Sequence, residues 1–187
     1  MKLKQMIIDV DICIKIGASS KYRYIEKLFP SIAEKIYIHK SVYDEIMMPA
    51  SAKEQVDTLI KCGALELIDE YRLGSIEKKV YDAAFESLAS VMINPNKPKK
   101  NAGEVSSLAM AKAKSITYFG TDEKDLQTII DEKLNTGIDN IYCIRIVDII
   151  EMVRDGKLEG LIRKEAKALW KLSGKSTEWF DKEIWPL

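Results

Sequence analysis

The chain is poor in the residues from which many functional sites are built. A single histidine, His39, excludes His-based catalytic triads and His-rich metal sites. Its three cysteines, Cys13, Cys62 and Cys143, are odd in number and widely spaced, with no CxxC pair. They read as reduced, buried thiols of a cytoplasmic protein and not as a disulfide frame or zinc site. No apolar run approaches the ~20 residues of a membrane helix, and the run Met6-Ile7-Ile8 is cut by Asp9, so neither a membrane anchor nor a secretory leader is expected. Net charge is absent as well: 29 Lys and Arg balance 29 Asp and Glu. That balance excludes a protein that coats nucleic acid through bulk positive charge, and leaves local basic patches to consider.

What is present is a globular composition, 47% hydrophobic and 31% charged over 187 residues, enough for one domain with a substantial core. Short apolar runs alternate with longer helical stretches, the pattern of an α/β domain. Strands are expected at 5–9, 35–39, 64–68, 115–120 and 141–144. Helices are expected at 21–29, from Ser41 to Pro49, and at 51–62, 75–92, 103–113, 126–134, 146–155 and 157–172. Asn94 to Asn101 is a Pro- and Lys-rich loop. The tail after Gly174 carries Trp179, Phe180 and Trp185 and is expected to dock on the body.

Acids fall where the strands end. Asp9 closes the first strand, with Asp11 two residues on; Asp122 and Asp125 follow the strand ending at Gly120; Glu45 lies after the second strand; Glu104 opens the helix before the fourth. In parallel sheets the ligand crevice lies outside the carboxyl ends of the strands. Neighbouring strands are ~4.8 Å apart, which would bring Asp9 and Asp122 within reach of one ion. Crowded carboxylates repel unless a cation neutralises them, and oxygen ligands select a hard cation such as Mg²⁺ or Mn²⁺. Such an ion suits phosphodiester hydrolysis. Singly, the acids have ordinary explanations. Asp122 can cap a helix, Glu104 can sit against a helix dipole, and Glu45 can be a solvated surface residue. Asp9 is the exception, because an acid directly after a buried strand is costly unless solvated or bound.

The order of these motifs resembles the PIN domain, a nuclease superfamily. The resemblance lies in Ile7-Ile8-Asp9-Val10-Asp11, Ser41-Val42-Tyr43-Asp44-Glu45-Ile46, Gly103-Glu104-Val105-Ser106-Ser107-Leu108-Ala109 and Thr121-Asp122. The Gly-Glu third motif, with Arg145 to Ile150 and Gly156-Lys157-Leu158, is most similar to a PIN-like prokaryotic branch. The resemblance implies a three-layer α/β fold with a central parallel sheet of about five strands flanked by helices. It spans residues 1–187 as a single domain with an elaborated 69–102 segment and a C-terminal helical extension, 157–187. It implies Asp9, Glu45, Glu104 and Asp122 as catalytic metal ligands, with Asp125 a fifth acid and Thr121 a supporting, substrate-facing hydroxyl. It also implies a Mg²⁺- or Mn²⁺-dependent endoribonuclease acting on single-stranded RNA, often the toxin of a toxin–antitoxin pair with an antitoxin protein as partner, and a homodimer.

Other readings come from different classes. Asp9-Val10-Asp11 and Gly120 to Asp125 loosely imitate a haloacid-dehalogenase-like phosphatase, in which the first Asp would be a nucleophile. A non-catalytic PIN-like module binding RNA or protein is the third. Lys97, Lys99 and Lys100, upstream of Glu104, are candidates for holding substrate phosphates. Lys15 and Lys21-Tyr22-Arg23-Tyr24 form a second basic and aromatic candidate. His39 reads as structural, and Met47-Met48 as core packing.

Overall fold

In a strand buried on both faces, successive side chains enter opposite layers of the core. β1 (Leu3–Ile8) does this: Met6 and Ile8 join one apolar cluster and Ile7 the other, all fully buried. The computed structural model describes residues 2–186, so the terminal residues of the expected 1–187 span lie outside it. It is an α/β fold with five parallel strands in the order β3-β2-β1-β4-β5 and helices on both faces, the architecture expected from the sequence. The other strands are β2 (Ala33–His39), β3 (Leu65–Ile68), β4 (Tyr118–Gly120) and β5 (Tyr142–Ile144).

One face carries α1 (Val10–Gly17), α2 (Tyr24–Ile32), α4 (Ala50–Lys61), α8 (Ile146–Arg154) and α9 (Arg163–Leu172). The other carries α5 (Ser75–Met92), α6 (Ala102–Ala113) and α7 (Leu126–Lys133). Between β2 and α4 lies the short α3 (Lys40–Glu45). The chain runs outward from β1 through β2 to β3, then returns to β4 on β1's other side. That reversal puts the topological switch point, where such sheets bind ligands, between β1 and β4.

Several expectations need correction. α1 occupies a stretch to which the sequence reading assigned no element, with Ile12, Cys13 and Ile16 buried at helical spacing. The helix expected to run to Pro49 stops at Glu45, and Met47 and Met48 are exposed rather than packed in the core. The expected 157–172 helix begins only at Arg163, because Gly160 (φ 120°) takes a backbone conformation that a helix cannot contain. Of the three free cysteines only Cys13 is buried, while Cys62 is exposed. In the tail, Phe180 and Ile184 bury against α8 and α9 as expected, but Trp179 stays 55% exposed.

Candidate active site

Register decides which residues meet at the switch point. Ile8 pairs with Gly120 on β4 and with Ile38 on β2, and Gly120 pairs with Ile144 on β5. The next row therefore reads His39, the last residue of β2, followed by Asp9, Thr121 and Arg145, each just beyond the end of its strand. The Asp9 amide donates to the Gly120 carbonyl at 2.9 Å and the Thr121 amide to the Ile144 carbonyl at 3.1 Å, fixing both loops to the sheet.

Asp9 sits at the start of α1 and is only 3% exposed. One of its carboxylate oxygens, Oδ1, is buried without a hydrogen-bond partner. Burial pushes its pKa up to about 7, against the pull of the Val10 and Asp11 amides and with the charges of Asp11 and Glu45 adding to the rise. Glu104, in the first turn of α6, likewise has a buried, unpartnered Oε1. Its pKa is pushed up to about 8, by burial first and then by Asp9, Glu123, Asp11 and Glu45. A carboxylate in such surroundings favours its neutral form unless a positive charge arrives.

Glu45 reaches the same region from the end of α3. Burial raises its pKa, opposed by the Gly103 amide. The glycine of the Gly-Glu motif has a physical reason here: a Cβ at residue 103 would lie 2.5 Å from Glu45 Oε1. The first turn of α6 thus accepts one carboxylate against its backbone at Gly103 and supplies another from Glu104.

Asp122 behaves differently. β4 lies beside β1 as expected, yet the Asp122 side chain, 4% exposed, bonds to two lysines. Lys15 Nζ lies 3.0 Å from its Oδ2 and 2.8 Å from Asp11, and Lys175 from the C-terminal tail contacts the same Oδ2. The Ile146 amide at the start of α8 donates to Oδ1 at 3.4 Å. Three of the four expected acids therefore influence one another electrostatically, while the fourth is held by cations. Among the described residues no three His, Cys, Asp or Glu side chains stand in an arrangement that could hold a metal ion.

The remaining candidates are less central. Thr121 is fully buried and its Oγ1 accepts from the Glu123 amide at 3.2 Å, so its hydroxyl supports the loop and does not face solvent. Asp125 is exposed at the N-cap position of α7. Lys97, Lys99 and Lys100 are exposed in the loop that leads into α6. Arg23 is paired with Glu26 and Glu54. His39 is buried, with Nδ1 2.7 Å from Ser41 Oγ and Nε2 3.2 Å from Glu70; burial lowers its pKa against the pull of Glu70, in keeping with the structural role expected of it. The sequence reading missed Lys175. It also considered Lys15 only as part of a basic surface, although the four-residue spacing from Asp11 signals a pair on one helix face.

Comparison of the chain with family models, with curated proteins and with solved structures finds no match. Among the described residues no helix is long and apolar enough to cross a membrane.

Proposed function

We infer that this chain is a metal-dependent endoribonuclease of PIN type that hydrolyses phosphodiester bonds in single-stranded RNA. The carrying observation is the pair of carboxylates of buried Asp9 and half-buried Glu104, each with a buried oxygen that no protein group satisfies. Buried polar atoms left unpartnered are rare and costly, and two adjacent acids in that condition suit a shared cation. Their all-oxygen chemistry fits Mg²⁺ or Mn²⁺. Asp9 and Glu104 would hold the ion, with Glu45 standing beside them at the Gly103 amide. When bound, such an ion polarises the phosphodiester and activates water.

The chain's own groups do the rest. Glu45, tethered at the Gly103 amide, orients the attacking water. Lys15 and Lys175 pair with Asp122 and hold it beside the acidic site. Asp125 is the outer, fifth acid, Thr121 stiffens the loop between them, and Lys97, Lys99 and Lys100 draw RNA toward the crevice. A toxin role with an antitoxin partner, a homodimeric state and a cytoplasmic location belong to the same proposal.

A phosphatase using Asp9 as nucleophile is less well supported. It needs a cationic side chain beside that carboxylate, and Lys15 and Lys175 contact Asp122 instead. The deciding experiment incubates the purified chain with Mn²⁺ and end-labelled single-stranded RNA, in parallel with a small phosphate monoester. RNA cuts abolished by EDTA and by Asp9→Asn are expected. Monoester hydrolysis with phosphate retained on Asp9 would favour the phosphatase, and RNA cutting that survives Asp9→Asn would sink the assignment.

A further inference from the structure

Beside the acids, on the outer side of Asp122, lies a cleft of about 470 Å³ between the β4–α7 loop and the C-terminal tail. Its charged lining is Asp122, Lys124, Arg145 and Lys175. Lys175 and Lys15 already neutralise Asp122. The unpaired positive charge left over resides on Lys124, which is exposed and has no ion-pair partner among the described residues; Arg145 stands beside it with its Nε 3.6 Å from Asp148, an acid with which it shares its charge. The cleft therefore offers one unpaired ammonium, Lys124, and the partly paired guanidinium of Arg145.

Two indoles form its apolar walls. Trp170 is 4% exposed and its Nε1–H donates to the Ser176 carbonyl at 2.7 Å, so it is a fixed wall. Trp179 is 55% exposed. Its backbone is nonetheless held firmly, since Phe180 next to it is fully buried, Trp185 N–H donates to the Phe180 carbonyl at 2.8 Å, and Arg154 and Arg163 donate to the carbonyls of Ile184 and Trp185. An immobilised backbone carrying a free aromatic side chain is a platform that loses little entropy when a flat ring lands on it.

We propose that this cleft is a nucleotide subsite for single-stranded nucleic acid, with a base stacked on Trp179 and the adjoining phosphate held by Lys124 and Arg145. Cations beside an indole match the two invariant parts of a nucleotide, its anionic phosphate and the π-face of its base. Asp122 and Lys175 form the border shared with the acidic site, so the strand would run from the cleft toward Asp9 and Glu104. The proposal rests on the nuclease reading for its direction, and its test is separable from that reading.

The test measures fluorescence anisotropy of a labelled single-stranded oligoribonucleotide with the full chain in EDTA, where binding is read without metal-dependent cutting. Trp179→Ala should weaken binding about tenfold, and Trp179→Phe should recover most of it, because stacking needs only an aromatic face. Lys124→Ala should weaken binding and lower the slope of log affinity against log salt by about one. Unchanged affinity in Trp179→Ala, or equal loss in Trp179→Phe, would overturn the subsite, as would no binding by the parent chain. Aromatic-dependent binding without any RNA cutting in Mn²⁺ would uphold the cleft and remove the nuclease. Cutting with a KM indifferent to Trp179 would do the opposite.

Discussion

Replacing Asp9 by Asn removes a charge that the fold holds in unfavourable surroundings. In the unfolded chain this carboxyl ionises near 3.8, whereas in the folded protein burial pushes it up to about 7. The sign follows directly. Below about pH 4 both states carry the proton and the shift has no effect on stability. As pH rises toward 7 the unfolded state gives up its proton first, so folding becomes progressively less favourable. A displacement of about three pH units corresponds to ~4 kcal/mol at full ionisation, a ceiling that relaxation and water entry reduce. Asp9→Asn, measured by urea unfolding in EDTA, should therefore raise stability by ~2–4 kcal/mol at pH 8.5 and by only ~1–2 kcal/mol at pH 5. Glu104, pushed up to about 8, gives wild-type protein a second contribution of the same sign. A variant destabilised equally at both pH values, or a wild type more stable at pH 8.5 than at pH 5, would refute this view of the site.

Gly103→Ala should leave stability within ~0.5 kcal/mol, since its new methyl meets the mobile end of Glu45; RNA cutting should fall at least tenfold, chiefly in kcat, as that carboxylate is displaced. At Gly17 the obstacle is rigid, with a new Cβ 2.5 Å from Ala52 Cβ and 2.6 Å from its Cα, so Gly17→Ala should lose ~1–3 kcal/mol in chemical denaturation. Lys15→Ala or Lys175→Ala alone leaves Asp122 one cation and should cost ~1 kcal/mol. The double variant strands a side chain that is 4% exposed and should cost ~3–5 kcal/mol, a coupling that a double-mutant cycle reads directly.

The sheet was legible because buried parallel strands read as continuous apolar runs, such as Met6-Ile7-Ile8 and Ile36-Tyr37-Ile38. α1 was not assigned, since its eight residues follow directly on the strand's acid and its polar positions are few. Asp9 was legible from cost alone: a carboxylate after a buried strand needs an explanation. Gly103 was legible only as part of a motif, and its reason appeared once Glu45 stood against it. The Asp122–Lys175 contact spans 53 positions, and no local pattern announces a pairing that depends on where the tail docks. Trp179 and Phe180 are adjacent aromatics of opposite fate, one exposed and one buried. Only the packing of the last helical turn separates them.

Calorimetric titration of the full chain with Mn²⁺ at pH 7, repeated in buffers of different ionisation enthalpy, tests the acid pair most directly. With Asp9 pushed to about 7 and Glu104 to about 8, metal binding should release protons at pH 7 and almost none at pH 9. Both the binding and the release should vanish in Asp9→Asn and in Glu104→Gln. Mn²⁺ that fails to bind, or that binds both variants as it binds the parent chain, would contradict a metal centre at Asp9 and Glu104.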